Sequence, residues 1–433
     1  MVKIKVLDSL MGAGKTSHVI EMIRQNPAGP YIYITPYLKE IRERILKEFP
    51  DFQEPKENNL TGEVKLDHLN QLLKEGKNVA STHALFKRIN AETIQYLKMH
   101  NYTLIIDEVV EVVSSEDFKK DDLKLVVDGG LARVNEKTGH LEWICPEYNG
   151  KLNRIKQLCM TKSVIVVDDT ALVWVFPPDI FSLFKEVYVC TYLFEAQVQR
   201  FYFDLYKIPY ERFRVVPSAQ GGYSTVPHDG RPDKVNQLPI TIYLGKKNEI
   251  GKNPVRRVAK AGGEEEKAEE DNHYPMSATW YSKASPEKFQ ALKTNLTGFF
   301  KNDAKTGVDL NLWTCIKGRV KKDEEEGEYQ KKLKGKGYTG GFLACNARAS
   351  NDYRYKTSVA FAVNAFMDPY IVKFFQYNGI SITKEVQEQY ALSFMLQFLF
   401  RSAIREGKPI LVYVPPQRMR NLLQKWLGRL PED

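Results

Sequence analysis

Residues 7–17 read LDSLMGAGKTS, and whether that stretch cradles a phosphate decides what kind of fold surrounds it. Gly14, Lys15 and Thr16 are what a P-loop needs, while Ser9 stands where the G-x-x-x-x-G-K-[ST] pattern has its leading glycine. Context settles the near miss. VKIKVL (2–7) is a β-branched run that reads as a buried strand, and SHVIEMIRQ (17–25) carries apolar residues at helical spacing. Strand, glycine turn and helix point successive backbone N–H groups into one concavity at a helix N-terminus, where the dipole favours an anion. On this reading Ser9, Met11, Gly12, Ala13, Gly14 and Ser17 line the phosphates of ATP, Lys15 reaches the β and γ phosphates, and Thr16 holds Mg²⁺.

Further strand-like runs follow between helical patterns: YIYIT (31–35), KNVAST (77–82), YTLIIDEVV (102–110), SVIVVDDT (163–170) and EVYVCTYLF (186–194). Alternation of this kind predicts an α/β fold with a mainly parallel, doubly wound sheet. Ligands of such sheets bind at the carboxyl ends of the strands. At one such end stand Asp107 and Glu108. In a P-loop ATPase an aspartate so placed holds the metal, and the glutamate activates the attacking water.

Composition bounds the rest. A chain of 433 residues exceeds one core and divides into two or three domains. The formal charge of +9 fits a polyanionic partner, although acidic runs are mixed in. Cys145, Cys159, Cys190, Cys315 and Cys345 lie far apart, with no C-x-x-C spacing, which argues against a zinc cluster or disulfide framework and fits a reducing cytoplasm. No apolar run approaches a membrane span, and the N-terminus shows no export pattern.

Five segments together resemble the motifs of superfamily 2 helicases and translocases, most closely the DEAD-like helicases found in bacteriophage genomes. SLMGAGKT (9–16) resembles motif I, ITPYLKE (34–40) motif Ia, STHALF (81–86) motif Ic, IIDEVV (105–110) motif II and VCTYLF (189–194) motif III. The resemblance implies two RecA-like domains in tandem with ATP and Mg²⁺ between them. It places Thr35, Pro36, Thr82, His83 and Thr191 along the sugar-phosphate backbone of a strand, which such loops grip without reading sequence. DNA, single-stranded or forked, is the expected partner, with RNA second.

The same resemblance requires a second domain that supplies an arginine to the γ-phosphate. YALSFMLQFLFRSAIREGKPILVYVP (390–415) reads as a helix followed by a strand and looks like motif VI, with Gln397, Arg401 and Arg405 four apart on one face. The family spacing between the two arginines is three, so either can be the finger; Arg405 is favoured. GGFLACNARASNDYRYKTSVAFAVNAFMDP (340–369) takes the place of motif V as a strand, polar turn and helix, with Asn346, Arg348 and Ser350 toward phosphates and Asn351 toward the nucleotide.

Domain 1 is expected over residues 1–199 and domain 2 over 200–433. Within the second, residues 246–336 carry blocks of mixed charge that read as a flexible insertion holding one helix, SPEKFQALKTNLTGFFKN (285–302), and offer a surface to a replication or recombination protein. ARVNEKTGHLEWI (132–144) reads as a hairpin around Lys137, Thr138 and Gly139. With eight residues before Ser9 there is no room for the upstream glutamine motif that reads adenine, and nucleotide selectivity is expected to be loose. A packaging motor, a P-loop kinase and a non-catalytic nucleic-acid-binding factor share parts of this pattern and stay open.

Overall fold

The computed structural model describes residues 3–57, 64–254, 273–321, 324–346 and 352–430. The chain forms two compact units, one of residues 1–231 with 367–387, the other of residues 232–366 with 388–433.

The first unit is built on a seven-stranded sheet. Its strands are β1 (Lys3–Asp8), β2 (Tyr31–Thr35), β3 (Val79–Thr82) and β4 (Thr103–Asp107). A small module of β5 (Val113–Ser115), β6 (Ala132–Val134), β7 (Leu141–Trp143), β8 (Val164–Val167) and β9 (Ala171–Val175) interrupts the order. The large sheet resumes with β10 (Glu186–Thr191), β11 (Tyr210–Pro217) and β12 (Tyr223–Pro227). Its order is β12-β11-β1-β10-β4-β2-β3, parallel except for the β11–β12 hairpin. β2 and β4 are buried at every position, as strands covered on both faces must be. The helix α1 (Lys15–Gln25) turns Val19, Ile20 and Ile23 onto Leu7, Tyr33 and Ile105 of the sheet core. The unit extends beyond residue 199, the end expected from the sequence, because β11 pairs in parallel with β1 from Ile4↔Tyr210 to Leu7↔Phe213.

SVIVVDDT, expected in the parallel sheet, lies elsewhere. β8 belongs to a three-stranded antiparallel sheet in the order β5-β9-β8. With helices Lys120–Asp128 and Asn153–Met160 and the β6–β7 hairpin it encloses its own core of Leu123, Val126, Leu141, Ile155, Val164 and Leu172. The hairpin forms where it was expected, with Gly139 at a φ of 70° in its turn. The helix Pro369–Tyr377, from far down the chain, docks on this module. Ser115 donates to Asp368 at 2.6 Å, and Lys373 and Tyr377 both reach the Asp168 carboxylate.

The second unit holds a four-stranded parallel sheet of β13 (Ile240–Ile242), β14 (Asn311–Cys315), β15 (Ser358–Ala362) and β16 (Ile410–Tyr413) in the order β13-β16-β15-β14. The charged stretch 246–336 is more than an insertion here. It supplies β14, buried at all five positions, and the expected helix, Pro286–Gly298 with Ser285 before it. Trp280, Phe289, Leu292, Leu296, Phe299 and Trp313 from this stretch form the core with Ala360 and Tyr413. These apolar residues sit between the charge runs, where average composition hides them. Residues 255–272, which include part of the charged run, lie outside the described residues. The strand expected to open the 340–369 stretch comes later in it: Thr339–Gly341 is a 3₁₀ turn and the strand is β15, beginning at Ser358.

Candidate nucleotide-phosphate site

Three buried strand ends meet beside the N-terminus of α1. β1 lies between β10 and β11, and β10 pairs with β4, so Asp8, Thr191 and Asp107 close adjacent strands. The loop from Ser9 to Gly14 then turns the chain into α1. Gly12 and Gly14 hold φ of 89° and 90°, a region glycine enters without steric cost. Ser9 in place of glycine has a structural reason: its hydroxyl accepts the Val215 N–H of β11 at 2.8 Å, while its own N–H donates to Thr191 O at 3.1 Å. A glycine would leave the Val215 amide without that acceptor.

Lys15 folds its ammonium back over the loop, donating to the carbonyls of Ser9 and Leu10. Burial pulls this ammonium below the ordinary lysine value, and the negative groups around it, Asp107, Asp8 and Glu108 among them, oppose that shift. A desolvated cation held by two carbonyls is poised to exchange them for phosphate oxygens.

Thr16 presents its hydroxyl to Asp107 Oδ2 at 3.4 Å across 91 residues of chain. Tyr33 donates to the same oxygen at 2.6 Å. Burial raises the Asp107 carboxyl, and the Tyr33 hydrogen bond draws it back. A hydroxyl and a carboxylate this close are hard oxygen donors of the kind Mg²⁺ takes when phosphates and water complete its shell. Among the described residues no group of three or more His, Cys, Asp or Glu side chains forms a metal cage of its own.

Glu108 follows at a φ of 66°, left-handed for a residue with a side chain, with its N–H donated to Cys190 O at 3.0 Å. Such a conformation costs on the order of 1 kcal/mol. Sequence reading missed a third carboxylate. Glu40 accepts the Thr35 hydroxyl at 3.1 Å and lies 3.9 Å from Arg44; its carboxyl is pushed up to about 7 by burial, then by Asp107 and Glu108. It sits just before a π-helical turn, Ile41–Ile45, in the helix after β2. Tyr33 and Arg212, which pairs with Asp8 at 2.8 Å, were missed as well. For Tyr33 a signal existed in YIYIT, a hydroxyl-bearing ring within an otherwise apolar strand.

The other expected residues divide. Thr35 and Thr82 pair in register at the ends of β2 and β3, and Thr191 ends β10, so all three share the carboxyl edge with Asp107. Thr35, His83 and Thr191 are buried, however, and Thr82 caps the helix His83–Phe86 by accepting the Leu85 N–H at 3.3 Å. Only Pro36 and Thr82 of this set are even partly exposed.

The helix Lys384–Leu399, which runs from the first unit into the second at Glu388, ends before the arginines. Arg401 is 5% exposed in the turn that follows, and Arg405 is half-buried in a 3₁₀ helix, Ala403–Glu406. The expected single helix face through Gln397, Arg401 and Arg405 is therefore broken after Leu399. Asn346 is exposed in a turn; Arg348, Ser350 and Asn351 lie outside the described residues.

Comparison with known proteins adds family and ancestry. Residues 113–174 match the model of the YonV middle domain, which coincides with the small module from β5 to β9, and residues 234–427 match the YonV C-terminal Rossmann-like domain. The chain is 37% identical over 443 residues to the SPbeta prophage-derived protein YonV of Bacillus subtilis (strain 168), covering 99% of both chains. Among solved structures, an apo XPD chain is similar at TM-score 0.49 and 11% identity, covering 99% of this chain and 96% of that one. The Xpd4 structure of S. tokodaii is similar at TM-score 0.46 and 10% identity, covering 98% and 94%. Both likenesses are too distant to assign a fold or an activity.

Proposed function

The chain belongs to the YonV family, and from that premise we propose that it is a nucleoside-triphosphate-driven motor on nucleic acid, a superfamily 2 helicase or translocase of two RecA-like domains. The observation that carries the reading is the approach of Thr16 to Asp107 beside a glycine turn with Lys15 at its rim. In this reading Lys15 and the loop amides bind the phosphates, and Thr16 and Asp107 are the residues that would hold Mg²⁺, which supplies charge neutralisation at the phosphates. Glu108, next to Asp107 just past the end of β4, takes the proton of the attacking water. Arg405 serves as the finger that meets developing charge, with Arg401 in support.

Strand binding by Thr35, Pro36, Thr82, His83, Thr191, Asn346 and Arg348 belongs to the same proposal. The burial of Thr35 and Thr191 favours main-chain groups and helix N-termini as the contacts, with these hydroxyls bracing the loops. DNA is the favoured track, and the host cytoplasm the favoured compartment; among the described residues no helix is long and apolar enough to cross a membrane. The test is ATP hydrolysis by the full chain with no nucleic acid, single-stranded DNA, forked DNA and RNA. Stimulation by a strand supports the motor, and equal rates with and without one remove it in favour of a simpler P-loop NTPase.

A further inference from the structure

The phosphate site has two sides, and the adjacent pair Asp107 and Glu108 stands on one of them. β10 and β4 flank β1 on the side of Asp107 and Glu108, whereas β11 and β12 flank it on the other. A triphosphate whose γ end lies toward Asp107 therefore directs its nucleoside end away from β4, toward the β11–β12 hairpin.

There the hairpin presents an aromatic ring to the loop. A Cβ added to Gly14 would lie 2.1 Å from Tyr223 Cε1, so the ring packs directly on the glycine that begins α1. The ring's position is set by the helix as well as the loop. Tyr223 N–H donates to Glu21 Oε2 at 3.2 Å, and Tyr223 O lies 3.1 Å from His18 Nδ1, so one residue is fastened at both its amide and its carbonyl to the first turns of α1. Gly221 and Gly222, with φ of 87° and 71°, make the turn that allows this approach; a Cβ at Gly222 would meet Glu21 Oε1 at 2.6 Å. Tyr223 is half-buried: it packs in part against the core that holds Leu7, Val19 and Ile23, and part of the residue stays open to solvent.

We infer that Tyr223 is the base-side wall of the nucleotide site, taking the nucleoside of a bound triphosphate against its ring. The inference rests on the phosphate-site reading above and deepens it by naming the substrate class. A ring stacks on any base, because every base offers a π-face. The substrates are therefore nucleoside triphosphates with little discrimination among bases.

Titration calorimetry on the full chain tests it with Mg²⁺ and non-hydrolysable analogues of ATP, GTP and CTP, alongside inorganic tripolyphosphate, which has no base. The three nucleotides bind within about fivefold of one another to the unmodified chain. Tyr223→Phe keeps those affinities. Tyr223→Leu, which fills the space without a π-face, and Tyr223→Ala both weaken every nucleotide about tenfold, or about 1.4 kcal/mol, and leave tripolyphosphate unchanged. Equal loss of tripolyphosphate would mean that the ring only shapes the loop, and the inference falls. It falls too if neither variant weakens nucleotide binding, or if one base is preferred a hundredfold. Failure of the unmodified chain to bind tripolyphosphate and nucleotides alike overturns the phosphate-site reading itself, a different result from the others.

Discussion

The two parallel sheets end in opposite chemistry. At the carboxyl ends of β1, β4 and β10 buried polar side chains converge: Asp8, Ser9, Asp107 and Thr191, with Lys15 close above them. At the carboxyl ends of β15 and β16 the polar groups are already spent on the fold. Asn364 donates to Met276 O's neighbour Pro275 O at 3.2 Å and accepts from Arg418 at 3.1 Å, while Arg418 and Arg420 donate to Ala365 O, Val414 O and Pro415 O. The difference teaches which unit holds reactive groups in readiness. The first keeps a desolvated cation and carboxylates in tension, and the second uses its cations to finish loop backbones.

The largest effect belongs to the first sheet. Lys15→Ala is expected to reduce ATP turnover by at least about a thousandfold, roughly 4 kcal/mol of transition-state stabilisation, and to weaken nucleotide binding, as read by steady-state kinetics and calorimetry. Glu108→Gln should lower turnover about a hundredfold with binding within about twofold, because on the proposed mechanism the carboxylate acts on water during hydrolysis and not on the bound ground state. Normal turnover in Glu108→Gln would remove the contrast between the two sheets at its centre.

The second sheet gives the next effect. Arg405 is half-buried, and Arg405→Lys should cut strand-stimulated turnover about tenfold while leaving the melting temperature within about a degree, since lysine lacks the planar fork that matches phosphoryl oxygens. Arg401 is buried, and Arg401→Ala should destabilise the fold by about 1–3 kcal/mol in urea, the range for removing a charged hydrogen-bonding group from an interior. If Arg401→Lys abolishes turnover in a chain of unchanged stability, Arg401 is the finger in place of Arg405.

How much of this was legible in the sequence follows from the distance over which each signal acts. The Ser9–Thr16 loop is local: glycines at φ near 90° and a helix starting at Lys15 are dictated by neighbours in sequence. The strand ends at Asp107 and Thr191 were legible for the same reason. Glu40 was not, because its importance comes from burial beside Asp107, which only tertiary packing creates. Nor was the end of the helix at Leu399. Apolar spacing continues through Phe400 and Ile404, and both are buried whether the backbone is α-helical or turned. Within residues 246–336 the charge runs on either side of it concealed the core strand β14.

The smallest effect concerns the fastening of the helix Pro369–Tyr377 to the small module. Lys373, then Tyr377, hold the Asp168 carboxyl below its ordinary value of 3.8. A carboxyl depressed in the folded state stabilises it fully above the unfolded value and loses that contribution as pH falls through the folded one. Hydrogen-exchange protection of 369–377 should therefore drop modestly on acidification below about pH 4, and in Asp168→Asn it should be lower at neutral pH and lack that acid step.

The same helix bears on how the chain is made. Residues 367–387 complete a unit whose other residues end at 231, with 135 residues of the second unit, 232–366, between them. A ribosome releases the N-terminal unit unfinished, with its small module still lacking a partner for Asp168, until residue 387 of 433 has emerged. Domain-by-domain folding during synthesis, the usual order for long chains, has every strand of the seven-stranded sheet by residue 227 but leaves the small module to receive its docked helix later, and a gene cut after residue 231 encodes an incomplete first unit.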